Sequence, residues 1–161
     1  MLHPVDEFHP GHPDKDGVVT TWVMDDAYRL LRQETSGGYA TFTYDTRGNL
    51  ASKHHQGSNP MTFTVDAANR LVTMIQATAR TTYVFDDNGN MMSEDTNSVF
   101  SQVSYSYDDE DRLTLYHLTH VLPNGRTTFS YSADGLRRTT KNSGGVTTTF
   151  VWDGSDYLGE Y

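Results

Sequence analysis

The stretch Phe42-Thr43-Tyr44-Asp45-Thr46-Arg47-Gly48-Asn49-Leu50 decides how the whole chain is read, because it spells a hairpin that recurs down the sequence. Phe42 and Tyr44 stand two apart and share one strand face, while Thr43 points to the other. Asp45 then opens a turn, where its carboxylate can accept hydrogen bonds from main-chain amides two residues on. Gly48 falls where a type I turn followed by a left-handed residue needs positive φ. In such a loop Asp45 pairs with Asn49, which sets Leu50 opposite Tyr44 on the same face as a cross-strand aromatic–aliphatic contact.

Working outward, the same grammar returns at Phe63-Thr64-Val65-Asp66 through Leu71, at Tyr83-Val84-Phe85-Asp86 through Met91, at Tyr105-Ser106-Tyr107-Asp108 through Leu113, and at Phe129-Ser130-Tyr131-Ser132 through Arg137. Weaker copies begin at Trp22 and Phe150. The seven leading aromatics, at 22, 42, 63, 83, 105, 129 and 150, are spaced 20, 21, 20, 22, 24 and 21 residues apart, a period that marks a repeat architecture. The left-handed slot holds Gly48, Asn69, Gly89, Asp111, Gly135 and Asp156, residues that tolerate positive φ, and only Tyr28 of the first copy breaks the rule. A lone two-stranded hairpin is marginal in water, so the repeat core must come from stacked copies burying Phe42, Tyr44, Leu50, Phe63, Leu71, Tyr83, Phe85, Tyr105, Tyr107, Leu113, Phe129, Tyr131 and Phe150 against one another. The second strands fit the pattern less regularly, with turns expected near His54–Pro60 and Pro123–Arg126.

Composition agrees. The 161 residues, 18.1 kDa, have room for one ordinary domain, and 22 Thr and 10 Tyr with 12% aromatics favour pleated sheet over helix. A net charge of −9 would be repelled by a nucleic-acid backbone or an anionic membrane surface. The absence of cysteine excludes disulfides, thiolate metal sites and thiol nucleophiles. No window approaches the roughly 20 apolar residues of a membrane-spanning helix, so no membrane insertion is expected. The N-terminus has neither a basic nor an apolar leader region, so no signal peptide is visible, and the chain is expected to be cytosolic or a piece of something longer. Residues 1–19, broken at Pro4, Pro10 and Pro13, read as an irregular arm, and 20–161 as a single repeat domain. A short helix between Asp25 and Gln33 is conceivable, but the repeat register argues for a degenerate hairpin.

The aromatic-x-Tyr-Asp-x-x-Gly-[Asn/Arg]-Leu unit resembles the tyrosine–aspartate (YD) repeat of bacterial RHS-repeat proteins over about residues 20–161, with Tyr44-Asp45 through Leu50 and Tyr107-Asp108 through Leu113 the best copies. The segment from Tyr131 to Arg138, with Phe150–Gly154 and Leu158–Tyr161, is similar to the last repeats before an RHS core closes. The resemblance implies a strip of β-hairpins spiralling into a shell that encloses a C-terminal toxin, or a surface module in cell contact, secreted or at the bacterial cell surface. Seven repeats are few for a closed shell, and the Asp-Pro-x-Gly signature that follows such cores is missing, so self-cleavage is not carried over.

Catalytic and ligand chemistry weighs less than the repeat. His9 and His12 beside Asp14 and Asp16 invite a metal, but His117 and His120, three apart in a strand, point to opposite faces. Asp86-Asp87-Asn88-Gly89-Asn90 resembles a calcium loop without its bidentate Glu. The acids of Asp108-Asp109-Glu110-Asp111 and Asp25-Asp26 lie on turn tips, without the desolvation that tunes a catalytic pair. No Gly-x-Ser-x-Gly occurs, and Ser143-Gly144-Gly145 reads as a tight turn. The one ligand hypothesis with a residue set is sugar stacking on Trp22 and Trp152 of the terminal repeats, set against the reading that the rings are core.

The expected protein is all-β: a curved antiparallel strip of stacked β-hairpins, built from about seven YD repeats of 20–24 residues, with no catalytic site, cofactor or metal. Its function is that of a structural and interaction module, part of a shell or surface protein; the alternative is a carbohydrate-binding or adhesive module. Its partners are neighbouring YD repeats, or a second copy paired along a C-terminal edge at Thr147–Trp152.

Overall fold

The computed structural model describes residues 7–10, 15–97, 102–119 and 125–161. Within them every regular element is a β-strand. The chain divides into two compact units, Met1–Thr78 and Ala79–Tyr161. The first unit runs β1 (Glu7–Pro10), β2 (Thr21–Met24), β3 (Leu30–Thr35), β4 (Gly38–Tyr44), β5 (Leu50–His55), β6 (Met61–Val65) and β7 (Leu71–Gln76). The second runs β8 (Ala79–Phe85), β9 (Met91–Thr96), β10 (Gln102–Tyr107), β11 (Leu113–Thr119), β12 (Gly125–Tyr131), β13 (Arg137–Lys141), β14 (Thr147–Asp153) and β15 (Asp156–Glu160). Inside each unit every strand pairs antiparallel with its neighbours in sequence, which is a meander.

Among the described residues seven hairpins close by the same loop, the last joining β13 to β14 through Asn142–Val146, with Gly145 at φ 81°. In the second, Asp45 N–H donates to Asn49 O at 2.9 Å and Gly48 N–H to Asp45 O at 3.0 Å, the turn that composition of the motif implies. Gly48, Asn69, Gly89, Asp111 and Gly135 hold φ of 90°, 62°, 94°, 60° and 84°. Tyr28, the residue that broke the sequence rule, is bent the same way at 57°, and the segment Asp25–Gln33 is a hairpin, not a helix. The hairpin of β14 and β15 departs from the pattern: Asp153 pairs with Asp156 across a two-residue turn in which Gly154 takes the positive φ of 58°, so Asp156 is a strand residue and not the left-handed one.

The irregularity of the second strands has a structural cause. Tyr44 faces Leu50 but Thr43 faces Ser52, which leaves Ala51 as an extra residue; the same shift recurs at Met24/Leu30, Val65/Leu71, Phe85/Met91, Tyr107/Leu113 and Tyr131/Arg137. Each of these six hairpins therefore carries a β-bulge one residue past its turn, which breaks the period of two and adds local twist, while β13 and β14 pair without a shift. The face opposite the rings is lined with short hydroxyls that bond across strands, as Thr43 to Ser52 and Ser130 to Thr139, both at 2.7 Å.

Two expectations change. Glu7–Pro10, inside the stretch read as irregular, form β1 and pair with β2; residues 1–6 and 11–14 lie outside the described residues, as do His12, Asp14, His120 and the Pro123-Asn124 turn. And Thr147–Trp152 is not an edge: β14 is paired on one side with β13 and on the other with β15, while Thr149 and Tyr161 exchange main-chain bonds at 2.9 and 3.1 Å. At this end of the meander the strand with one partner among the described residues is β15, which carries Asp156 and Glu160.

Candidate functional site

The motif residues build a repeating joint between hairpins. The Asp of each unit caps its own turn: Asp45 Oδ1 accepts from the N–H of Arg47 and of Asn49 at 2.9 and 2.8 Å, and Oδ2 accepts Asn49 Nδ2 at 3.1 Å. Asp66 does the same with Ala68, Arg70 and the Arg70 guanidinium, at 2.8, 2.9 and 2.7 Å, and Asp108 with Glu110 and Arg112. Where the repeat has Ser132 in place of Asp, its hydroxyl bonds Asp134 and the carbonyl of Leu136 instead. These bonds have an electrostatic signature. The Arg70 amide, then its guanidinium, holds the Asp66 carboxyl below the usual range, and the Asn49 side-chain amide does so for Asp45.

The Tyr of each unit reaches backwards. Tyr44 Oη donates to the carbonyl of Leu30 at 2.9 Å, Tyr107 Oη to Met91 at 3.0 Å and Tyr131 Oη to Leu113 at 2.9 Å; Trp152 Nε1 donates to Arg137 at 2.9 Å. Each acceptor is the first residue after the preceding turn. The carbonyl there lies on the seam between two hairpins, so the side-chain bond ties one repeat to the one before. The same seam stacks the preceding turn's Arg on the ring, Arg29 over Tyr44 at 4.8 Å and Arg112 over Tyr131 at 5.1 Å. Neighbouring tips are linked in turn: Arg47 Nη1 donates to Asp66 O and Asn49 Nδ2 to Asn69 Oδ1, each at 2.9 Å, while Asn88 and Asn90 both donate to Asp111 Oδ1, at 2.9 and 2.7 Å.

The rings expected to form the core are less buried than that role demands. Of the thirteen core positions only Phe150, 9% exposed, is buried; the others are half-buried, and the remaining buried residues among those described are Ala40, Thr81 and Val103. Within each unit the strands form a meander, where a ring finds lateral neighbours one strand away and side-chain hydrogen bonds supplement apolar burial. Trp22 and Trp152 are both half-buried, and Trp152 is committed to the Arg137 carbonyl and to Tyr157, whose ring lies 5.5 Å away edge-on. The Trp152 ring is thus already engaged within its own repeat. The calcium-like loop uses its first carboxylate internally, Asp86 accepting both the N–H and the side-chain amide of Asn90. Sequence reasoning missed the staple, although its signal was visible: the second aromatic is Tyr at 44, 107 and 131, where Phe would fill the same space.

A family model for the teneurin YD-shell matches residues 20–156. The chain belongs to the teneurin YD-shell family. Its fold is similar to that of solved toxin structures: a Tc holotoxin pore of Photorhabdus luminescens (TM-score 0.72, 16% identity, 85% of this chain and 9% of that one), the TcdB2-TccC3-TEV crystal structure (0.61, 14%, 86% and 10%) and TcdB2-TccC3 without its hypervariable C-terminal region (0.61, 14%, 87% and 8%). The YD-shell chain thus spans about a tenth of the length of those chains. No curated protein matches it. The family is a structural shell domain, and the repeating joint of the YD-shell chain is a structural device: carboxylates cap turns and phenols close seams.

Proposed function

We propose that this chain is wall material: a run of hairpins within a longer secreted or cell-surface protein, whose work is to continue a strip that encloses or displays another polypeptide segment, without catalysis of its own. The observation that carries this is the seam bond from Tyr107 Oη to Met91 O, with its counterparts at Tyr44, Tyr131 and Trp152, because a side chain spent on the preceding repeat serves assembly and not a ligand. The first carboxylate of the turns supports the same reading: Asp25, Asp45, Asp66, Asp86 and Asp108 each accept from their own turn, and the hydrogen bonds that hold Asp45 and Asp66 ionised are the opposite of the desolvation that makes a general acid. Its partners are neighbouring YD repeats, and the outer side of β15, which has one strand neighbour among the described residues, is where a further strand adds.

A segment exchange tests this. Replacing the matching segment of the TcdB2-TccC3 chain by residues 20–161 should leave the C-terminal region of that chain resistant to added protease. A chimera that folds by circular dichroism but loses that protection would overturn the proposal.

A further inference from the structure

Most cations of this chain are neutralised locally. Arg29 pairs with Asp25, Arg32 with Glu34, Arg47 with Asp45, Arg70 with Asp66 and Arg112 with both Asp108 and Glu110, while Lys53 and Arg137 lie over the rings of Phe42 and Phe150. Arg126 and Lys141 break this habit. Both line one depression of about 430 Å³ in the second unit, with Thr128, Asn142, Ser143 and Gly145, and among the described residues neither meets a carboxylate or a ring.

Register brings these side chains together. Thr128 on β12 lies opposite Lys141 on β13, Arg126 is two residues before Thr128 on the same face, and His117 of β11 lies opposite Arg126. The depression's rim is continued by Thr147 of β14, opposite Lys141. The chain leading into β12, His120-Val121-Leu122-Pro123-Asn124, contains no acid that could serve as a partner. Two exposed cations a strand apart repel each other, and a bound anion removes that repulsion.

We propose that this depression docks the carboxylates of an acidic polypeptide segment. Spacing selects the ligand class. Arg126 and Lys141 occupy diagonal positions on neighbouring strands, about 7–8 Å apart, which matches alternate side chains of an extended chain at roughly 6.6–6.8 Å. The chain's net charge of −9 opposes association with long polyanions, whereas a short segment with a few carboxylates meets the local positive field at little cost. The amide of Asn142 and the hydroxyls of Thr128 and Ser143 offer further donors, which suit the peptide groups between the acids.

The probe is a short fluorescein-labelled peptide alternating Glu and Thr, titrated with the 161-residue chain in fluorescence polarisation. Binding should weaken with added salt and fall about tenfold in Arg126→Gln/Lys141→Gln, the loss expected for two exposed ion pairs. Arg80→Gln, an exposed cation outside the depression, should bind like the unmodified chain, and both variants are to be checked by circular dichroism. Millimolar inorganic phosphate should not compete. The proposal is overturned by absent binding, by equal binding in the folded double variant, by effective phosphate competition, or by an oligothymidylate that binds through the same two residues.

Discussion

The phenolic hydroxyl of Tyr107 donates to the main-chain carbonyl of Met91 at 3.0 Å, across the seam between β9 and β10, from a residue that faces Leu113 on its own hairpin. One side chain thus closes a turn contact forwards and a repeat contact backwards. Tyr107→Phe keeps the ring and deletes the seam bond, so it should cost about 0.5–1.5 kcal/mol in urea unfolding. Tyr107→Ala should cost more, because it also removes a half-buried ring. Equal midpoints for Phe and wild type would show that the hydroxyl contributes nothing.

Val65 occupies the position of Tyr44 and Tyr107 but has no donor for the carbonyl of Leu50, and β5 meets β6 through only two registered pairs, Ser52 with Thr62 and Lys53 with Met61. Val65→Tyr should supply the missing staple and stabilise the first unit by about 0.5–1 kcal/mol. Hydrogen exchange read at the β5–β6 amides checks it: slower exchange is expected, and faster exchange would mean the seam cannot accept the ring.

The turns make opposite predictions at equivalent positions. Gly48, at φ 90°, has only Arg29 Nη1 at 3.9 Å near where a Cβ would stand, so Gly48→Val is penalised by backbone conformation and not by crowding. Tyr28 holds φ 57° with its side chain 78% exposed, so it bears the left-handed strain for little packing return. Tyr28→Gly should raise the melting temperature while Gly48→Val lowers it. A drop for Tyr28→Gly would assign the ring a contact worth more than the strain.

Acid should weaken the tips together. Asp66, Asp45 and Asp25 are held below the ordinary value of 3.8, chiefly by the Arg70 main-chain amide, the Asn49 side-chain amide and the Arg29 main-chain amide respectively. Because the folded values are depressed, the stabilisation is complete above the unfolded value and is lost as pH falls from about 3.8 through the folded values. Asp66→Asn should therefore be less stable than wild type at neutral pH, and the gap should close well below pH 3.8. A gap that stays constant across that range would sever the link between ionised Asp66 and the turn.

Much of this protein could be read from the chain alone because its information is local. A period of 20–24 residues, an aromatic pair two apart, Asp at the turn and Gly or Asn four residues after the second aromatic specify strand, turn and left-handed residue through main-chain sterics and short-range hydrogen bonds, none of which needs a distant neighbour. Even Tyr28 obeys, since six other copies of the same loop do not require its own residue to be favourable. What the sequence could not settle depends on partners 14–18 residues away or on how strands are shared. The bulge after each turn hid the alternation of the second strands; the seam bonds from Tyr44 to Leu30 and Tyr131 to Leu113 join residues that no periodicity pairs; and β14 lost its edge because β15 folded back on a two-residue turn at Gly154. Burial of the rings was likewise a tertiary decision. Pattern places Phe42 and Tyr107 on one face, but only the packed structure determines what lies against that face, and among the described residues lateral neighbours leave both rings half-buried.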